Sequence, residues 1–186
     1  MIVETWTAFE TLSEDLWEVA VNRNPERVLR SSYTKPEKEK QFFMPQKQRL
    51  NLPIYFDDFV RASFDLRGKL GTILKSDQQF VFRTYQGIAS AYGKAFGKVS
   101  HVLDMGKDRS LFDLAQTRNA IVHSAQLVDE QFRQTMCQNY SLYPEFDDLH
   151  INDPIIIDGA IVARLIGNAI DAIANLLKDV ESELGV

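Results

Sequence analysis

An all-α fold is what this sequence predicts. Apolar residues recur at spacings of three and four through nearly every long segment. Capping residues and prolines stand at the ends of those segments. There is no internal repeat and no low-complexity tract. The expected architecture is a helical bundle over residues 54–186, with N-terminal helices and a long basic loop, residues 1–53, packed on or beside it.

Each element follows in order. In Thr5–Val21 the residues Trp6, Phe9, Leu12, Leu16 and Ala20 form a helical stripe, and Thr7 with Glu10 fits a capping box. "NPERVLRSS" predicts a short second helix, capped by Asn24 with Pro25 in its first turn. Residues 33–53 lose the pattern: Pro36, Pro45 and Pro53 interrupt a polar, basic loop. Helical period returns from Asp57 to Lys75, with Phe59, Val60, Phe64, Leu70, Ile73 and Leu74 as the buried stripe. Residues 79–104 read as one long helix rich in small side chains, which predicts close approach by another helix. Ser110 and Asp113 fit a second capping box, opening a helix that runs to about Cys137. An irregular stretch, 139–157, ends in an extended "PIII". Asp158 then caps a last helix with a wide apolar stripe: Ile161, Val162, Leu165, Ile166, Ala169, Ile170, Ile173, Leu177, Val180 and Leu184.

Composition narrows the function classes. The chain has 186 residues, 45% hydrophobic and 25% charged, enough to build a core. Cys137 is the only cysteine, which precludes an intramolecular disulfide and fits a reducing compartment. The opening "MIVETWTAFETLSEDLWEVA" lacks the basic start and apolar run of a signal peptide. No run approaches the roughly 18 apolar residues of a membrane span. A cytoplasmic protein without a membrane partner is expected. The net charge of -5 argues against a general nucleic-acid coat protein. From Arg23 to Leu50, however, eight basic residues stand against three acidic ones. Lys35, Lys38, Lys40, Lys47 and Arg49 are candidate contacts to an RNA backbone, against the plainer reading of a solvated loop.

Several possible sites fail on inspection. "YGKAFGKVS" has the wrong glycine spacing for a phosphate loop, with Val99 where a magnesium-holding hydroxyl belongs. His101 reads as a structural histidine. His150, among Asp147, Asp148 and Asp153, matches no ligand spacing and reads as part of an acidic loop. No metal and no cofactor are called for.

What remains is "TRNAIVHSAQLVDE", Thr117 to Glu130. On a helix, Asn119 and His123 share a face, and Arg118, about 140° away, has a side chain long enough to lean toward it. Histidine moves protons near neutral pH. Arginine holds a phosphate and stabilises the charge that develops on it. Asparagine orients the imidazole or binds the phosphate. One set supplies one acid–base group where RNA cleavage wants two; a two-fold dimer that brings the two motif helices together would supply the second.

"TRNAIVHSAQLVD" resembles the signature of the HEPN superfamily, an arginine followed by four to six residues and a histidine. The polar Asn119 after the arginine and the Ile-Val-His run are similar to its RNase-type branches. The resemblance spans roughly residues 55–184. It implies a small helical bundle, a homodimer with a composite cleft, and metal-independent endoribonuclease activity, often in toxin–antitoxin or abortive-infection systems with an antitoxin or other regulatory partner. By position it makes Arg118 the phosphate-binding arginine, Asn119 its polar partner and His123 the catalytic histidine. The alternative it allows is a non-catalytic module for protein interaction or nucleotide binding. Two departures stand out. Many relatives follow the histidine with Asn-Gly-Gly; here Ser124, Ala125 and Gln126 follow, which predicts a helix continuing past the motif. Ala125 also stands where antitoxin-modified relatives carry a tyrosine, so that mode of control is not expected.

Overall fold

A computed structural model describes residues 1–25, 68–76, 80–96, 101–137 and 143–184. The described residues form six α-helices: α1 (Ile2–Arg23), α2 (Leu70–Lys75), α3 (Tyr85–Phe96), α4 (Ser110–His123), α5 (Glu130–Met136) and α6 (Gly159–Leu184). Short 3-10 turns occupy His101–Leu103 and Pro144–Phe146. No strand occurs among the described residues, and the sole β-type pairing there is an isolated antiparallel bridge, Leu127 to Pro154. The all-α class is as the sequence predicts. The expected division at residues 53–54, residues 26–32 of the expected second helix, and the Phe59, Val60 and Phe64 stripe lie outside the described residues.

The chain divides into two compact units. The first comprises Met1–Leu12 and Ser100–Asp179. Its buried residues include Trp6, Phe9, Leu111, Leu114, Phe132, Tyr143, Phe146, Ile161 and Leu165. Phe132 meets Phe146 edge-on at 5.5 Å between ring centroids, and Tyr143 lies 5.8 Å from Phe146. Arg164 sits over the Tyr143 ring and pairs with Glu145, while Asn168 reaches the Tyr143 hydroxyl. Helices α4 and α5 pack on one another. Asp158 caps α6 as predicted, its Oδ1 accepting the Ile161 N–H at 2.8 Å.

The second unit comprises Ser13–Val99 and Val180–Val186. Trp17 is fully buried, 4.9 Å from the Phe80 ring and 5.5 Å from Phe82. Its indole N–H donates to the Ala91 carbonyl at 3.0 Å. The Tyr92 hydroxyl donates to the Ser13 carbonyl at 2.9 Å, and burial holds its phenol far above the ordinary range. Helices α1 and α3 thus approach closely, with the small Ala91 and Ala95 buried. Helix α2 lies on α1 as well: Asn22 Oδ1 accepts the Gly71 N–H at 2.7 Å, and Lys75 bridges Glu14 and Glu18. Thr72 and Lys75 hold the Glu18 carboxyl below its usual value.

Several local expectations are corrected. Helix α1 starts at Ile2, so Thr7 is inside it and bonds back to the Val3 carbonyl, while Glu10 accepts from Trp6 Nε1. The capping box at Thr7 is therefore absent. The stripe of α1 runs through Ser13 and Trp17, leaving Leu12 exposed and Leu16 half-buried. A bulky indole and a serine whose carbonyl takes the Tyr92 hydroxyl displace two leucines from the buried face. The helix expected over 79–104 is shorter. Phe80–Thr84 is non-helical, and a Cβ on Gly87 would meet the Val81 carbonyl oxygen at 2.4 Å. The second capping box is also absent. Asp113 is buried and ion-paired with Arg109 instead, and the Ser110 N–H donates to Asp108. The last helix buries Ala172 and Leu176 but leaves Ile170 56% exposed. Over Gly159–Ser182 it is long and apolar enough, by length and composition, to cross a membrane, contrary to the expectation that no segment approaches one. Ile161, Leu165, Ala169, Ala172 and Leu176 form its buried face, and the larger part of the span is not buried.

Candidate active site

Helix α4 is rooted in the core. Every residue from Ser110 to Thr117 is buried, polar ones included. Arg109 Nη2 bonds Asp113 Oδ1 at 3.0 Å and the Thr135 carbonyl at 2.6 Å. Arg109 Nε also bonds Oδ1, at 3.2 Å, so both guanidinium contacts fall on one oxygen. Asp113 Oδ2 is buried with no partner. Burial therefore outweighs the arginine, and the Asp113 carboxyl is pushed up to about 6. Gln116 accepts from Gln131 of α5, and Thr117 Oγ1 donates back to the Asp113 carbonyl. The sequence reading missed this polar seam. Its signal was the run of Asp113, Gln116 and Thr117 at helical spacing between apolar residues.

Past Thr117 the helix emerges. Arg118 and Asn119 are half-buried and His123 is exposed. The three side chains meet. Arg118 Nη1 donates to Asn119 Oδ1 at 3.1 Å and lies 3.3 Å from His123 Nε2. A guanidinium has no acceptor, so that second contact is a hydrogen bond only when Nε2 is unprotonated and Nδ1 carries the hydrogen. The inner part of the arginine is desolvated, its Nε buried and without a partner. The arrangement presents a cation, an amide and an imidazole on one exposed helix end. Such a set can bind an oxyanion and accept or donate a proton beside it.

The helix does not continue past the motif, as the missing glycines predicted it would. It ends at His123, and Ala125 (φ 50°) and Gln126 (φ 63°) both take the left-handed conformation. That conformation costs an L-residue about 1–2 kcal/mol, so neighbours must hold it. They do. The N–H groups of Ser124 and Gln126 both donate to the Ala120 carbonyl, at 3.2 and 3.0 Å. The following residues pair with the segment before α6: Val128 N–H with Asp153 O, Asn152 N–H with Val128 O, and Ile155 N–H with Gln126 O. Asp129 then caps α5, accepting from the Phe132 N–H at 2.7 Å and from Ser124 Oγ at 2.5 Å. Both bonds hold its carboxyl below the usual range, the Ser124 hydroxyl most. The turn carried no glycine or proline to betray it, and the single helix expected from Ser110 to about Cys137 is instead two, α4 and α5, the second capped by Asp129.

The other histidines lie elsewhere. His101 pairs with Asp179 at 3.3 Å, and His150 with Asp153 at 3.7 Å. The basic candidates Lys35, Lys38, Lys40, Lys47 and Arg49 are outside the described residues. No family model matches the chain, and no characterised protein or solved structure matches it.

Proposed function

We propose that this protein is a metal-independent endoribonuclease of HEPN type, a cytoplasmic toxin or anti-phage effector. The observation that carries the reading is the convergence of Arg118, Asn119 and His123 at the exposed end of α4, with one guanidinium nitrogen between the amide oxygen and the imidazole. The chemistry follows from the groups. Arg118 moves onto the scissile phosphate, which frees His123 Nε2. The imidazole takes the proton from the ribose 2′-hydroxyl as that oxygen bonds to phosphorus. The bond from phosphorus to the 5′-oxygen breaks, and that oxygen receives a proton from a second imidazole. A homodimer supplies it from the partner copy. The products are a 2′,3′-cyclic phosphate and a 5′-hydroxyl. The basic loop, through Lys35, Lys38, Lys40, Lys47 and Arg49, holds the RNA backbone, and an antitoxin or other protein partner restrains the activity.

The engagement of Nε2 by Arg118 also favours a second reading, a non-catalytic HEPN module in which the arginine binds a nucleotide or protein anion and the histidine merely orients it. One experiment separates the two. Purified wild type and His123→Ala are incubated with labelled RNA in excess EDTA, and product ends are analysed. Cleavage by wild type alone, with cyclic phosphate ends, supports the nuclease. Equal cleavage by both refutes it. Folded proteins that bind RNA or nucleotide but cut nothing support the module.

A further inference from the structure

His123 is an exposed side chain at the last position of its helix, yet its ring is turned toward Arg118. What fixes that last turn is the residue three places on. Gln126 donates its N–H to the Ala120 carbonyl at 3.0 Å, inside α4. Its own carbonyl accepts the Ile155 N–H at 2.9 Å. Its side-chain Nε2 donates to the Ile155 carbonyl at 2.9 Å. One residue, held at φ 63°, therefore ties the end of α4 to the segment leading into α6.

We propose that Gln126 is the positioning residue of the candidate site: its paired bonds to Ile155 and its bond to Ala120 set the direction in which α4 presents His123 to Arg118. The proposal deepens the reading of Arg118 and His123 as a functional pair and rests on it, but its test does not depend on RNA being cut. The contact exists only with the hydrogen on Nδ1, so the ring's tautomer reports its position.

The experiment compares Gln126→Gly with Ala125→Gly in 15N-labelled protein, reading the imidazole nitrogen shifts of His123 at pH 8.5. Both changes place glycine at a left-handed position and relieve the backbone alike. Only the first removes the side-chain amide from Ile155. Wild type and Ala125→Gly are expected to show the Nδ1–H tautomer. Gln126→Gly is expected to show a mixture with the Nε2–H form. Should Gln126→Gly not fold, Gln126→Asn carries the same expectation, because asparagine tolerates the conformation and is one methylene short of Ile155. In RNA cleavage, Gln126→Gly loses about tenfold or more in kcat, with KM little changed and Ala125→Gly unaffected.

Wild-type shifts retained in Gln126→Gly, the same mixture in Ala125→Gly, or an Nε2–H ring in wild type would each overturn the proposal. If the tautomers behave as stated while wild type cuts no RNA, the positioning role stands and the nuclease reading falls.

Discussion

Changing Asp113 to asparagine tests how the core beneath the site is balanced. The Asp113 carboxyl is fully buried, and its folded value of about 6 lies above the ordinary 3.8. Burial is the largest cause; Arg109 opposes it and Asp108 adds to it. A carboxyl whose folded value is raised binds its proton more tightly in the native state. Its contribution to stability is therefore fully present below pH 3.8 and is lost as the pH climbs through about 6. At 1.36 kcal/mol per pH unit, the loss is about 3 kcal/mol. Asparagine mimics the protonated form and keeps an oxygen for Arg109. The expected result is an unfolding free energy that falls between pH 4 and pH 6.5 in wild type and not in Asp113→Asn. Urea denaturation followed by circular dichroism at pH 4.5, 5.5 and 6.5 measures it, and titrations common to both proteins cancel in the difference. Equal slopes would mean that the ion pair with Arg109 outweighs burial, and the account of the orphaned Oδ2 would be wrong.

Three further predictions concern other parts of the chain. Gly71→Ala places a Cβ 2.5 Å from the Glu18 carbonyl oxygen, a backbone atom that cannot swing away. It should cost about 1–3 kcal/mol despite the better helix propensity of alanine, and a melting temperature at or above wild type would refute the close approach of α2 to α1. Asp129→Ala removes the α5 cap and the partner of Ser124. A loss of about 1 kcal/mol in chemical denaturation is expected; no loss would show the cap to be idle. Neutralising Lys35, Lys38, Lys40, Lys47 and Arg49 together should flatten the salt dependence of RNA binding, by about 0.7 in logarithmic slope for each phosphate that the loop no longer neutralises. An unchanged slope would remove the loop from the RNA interface.

Legibility in the sequence followed the physics of each element. Ile161, Leu165 and Ala169 were readable as buried because their spacing is helical and α6 has a clear cap at Asp158. Ile170 was not readable as exposed, since α6 is apolar over so wide an arc that spacing cannot rank its residues. Ser13 and Trp17 displaced Leu12 and Leu16 from the buried face of α1 through long-range bonds to Tyr92 and Ala91, which no local pattern encodes. The same holds at the site. The convergence of Arg118, Asn119 and His123 follows from helical spacing and one long side chain. The strap that ends their helix does not, because Gln126, besides its local bond to the Ala120 carbonyl, is held by Ile155, far along the chain.

Helix α4 also carries a gradient along its length. At one end the backbone amides of Leu111 to Thr117 belong to residues shut inside the core, and such amides exchange with solvent only when the whole structure opens. At the other end His123 terminates the helix in water, where brief fraying is enough. The residues of the motif straddle this gradient, with Arg118 near the slow end and His123 at the fast one. Any ligand that bridges Arg118 and His123 is therefore expected to slow the exchange of the tip before it alters the root.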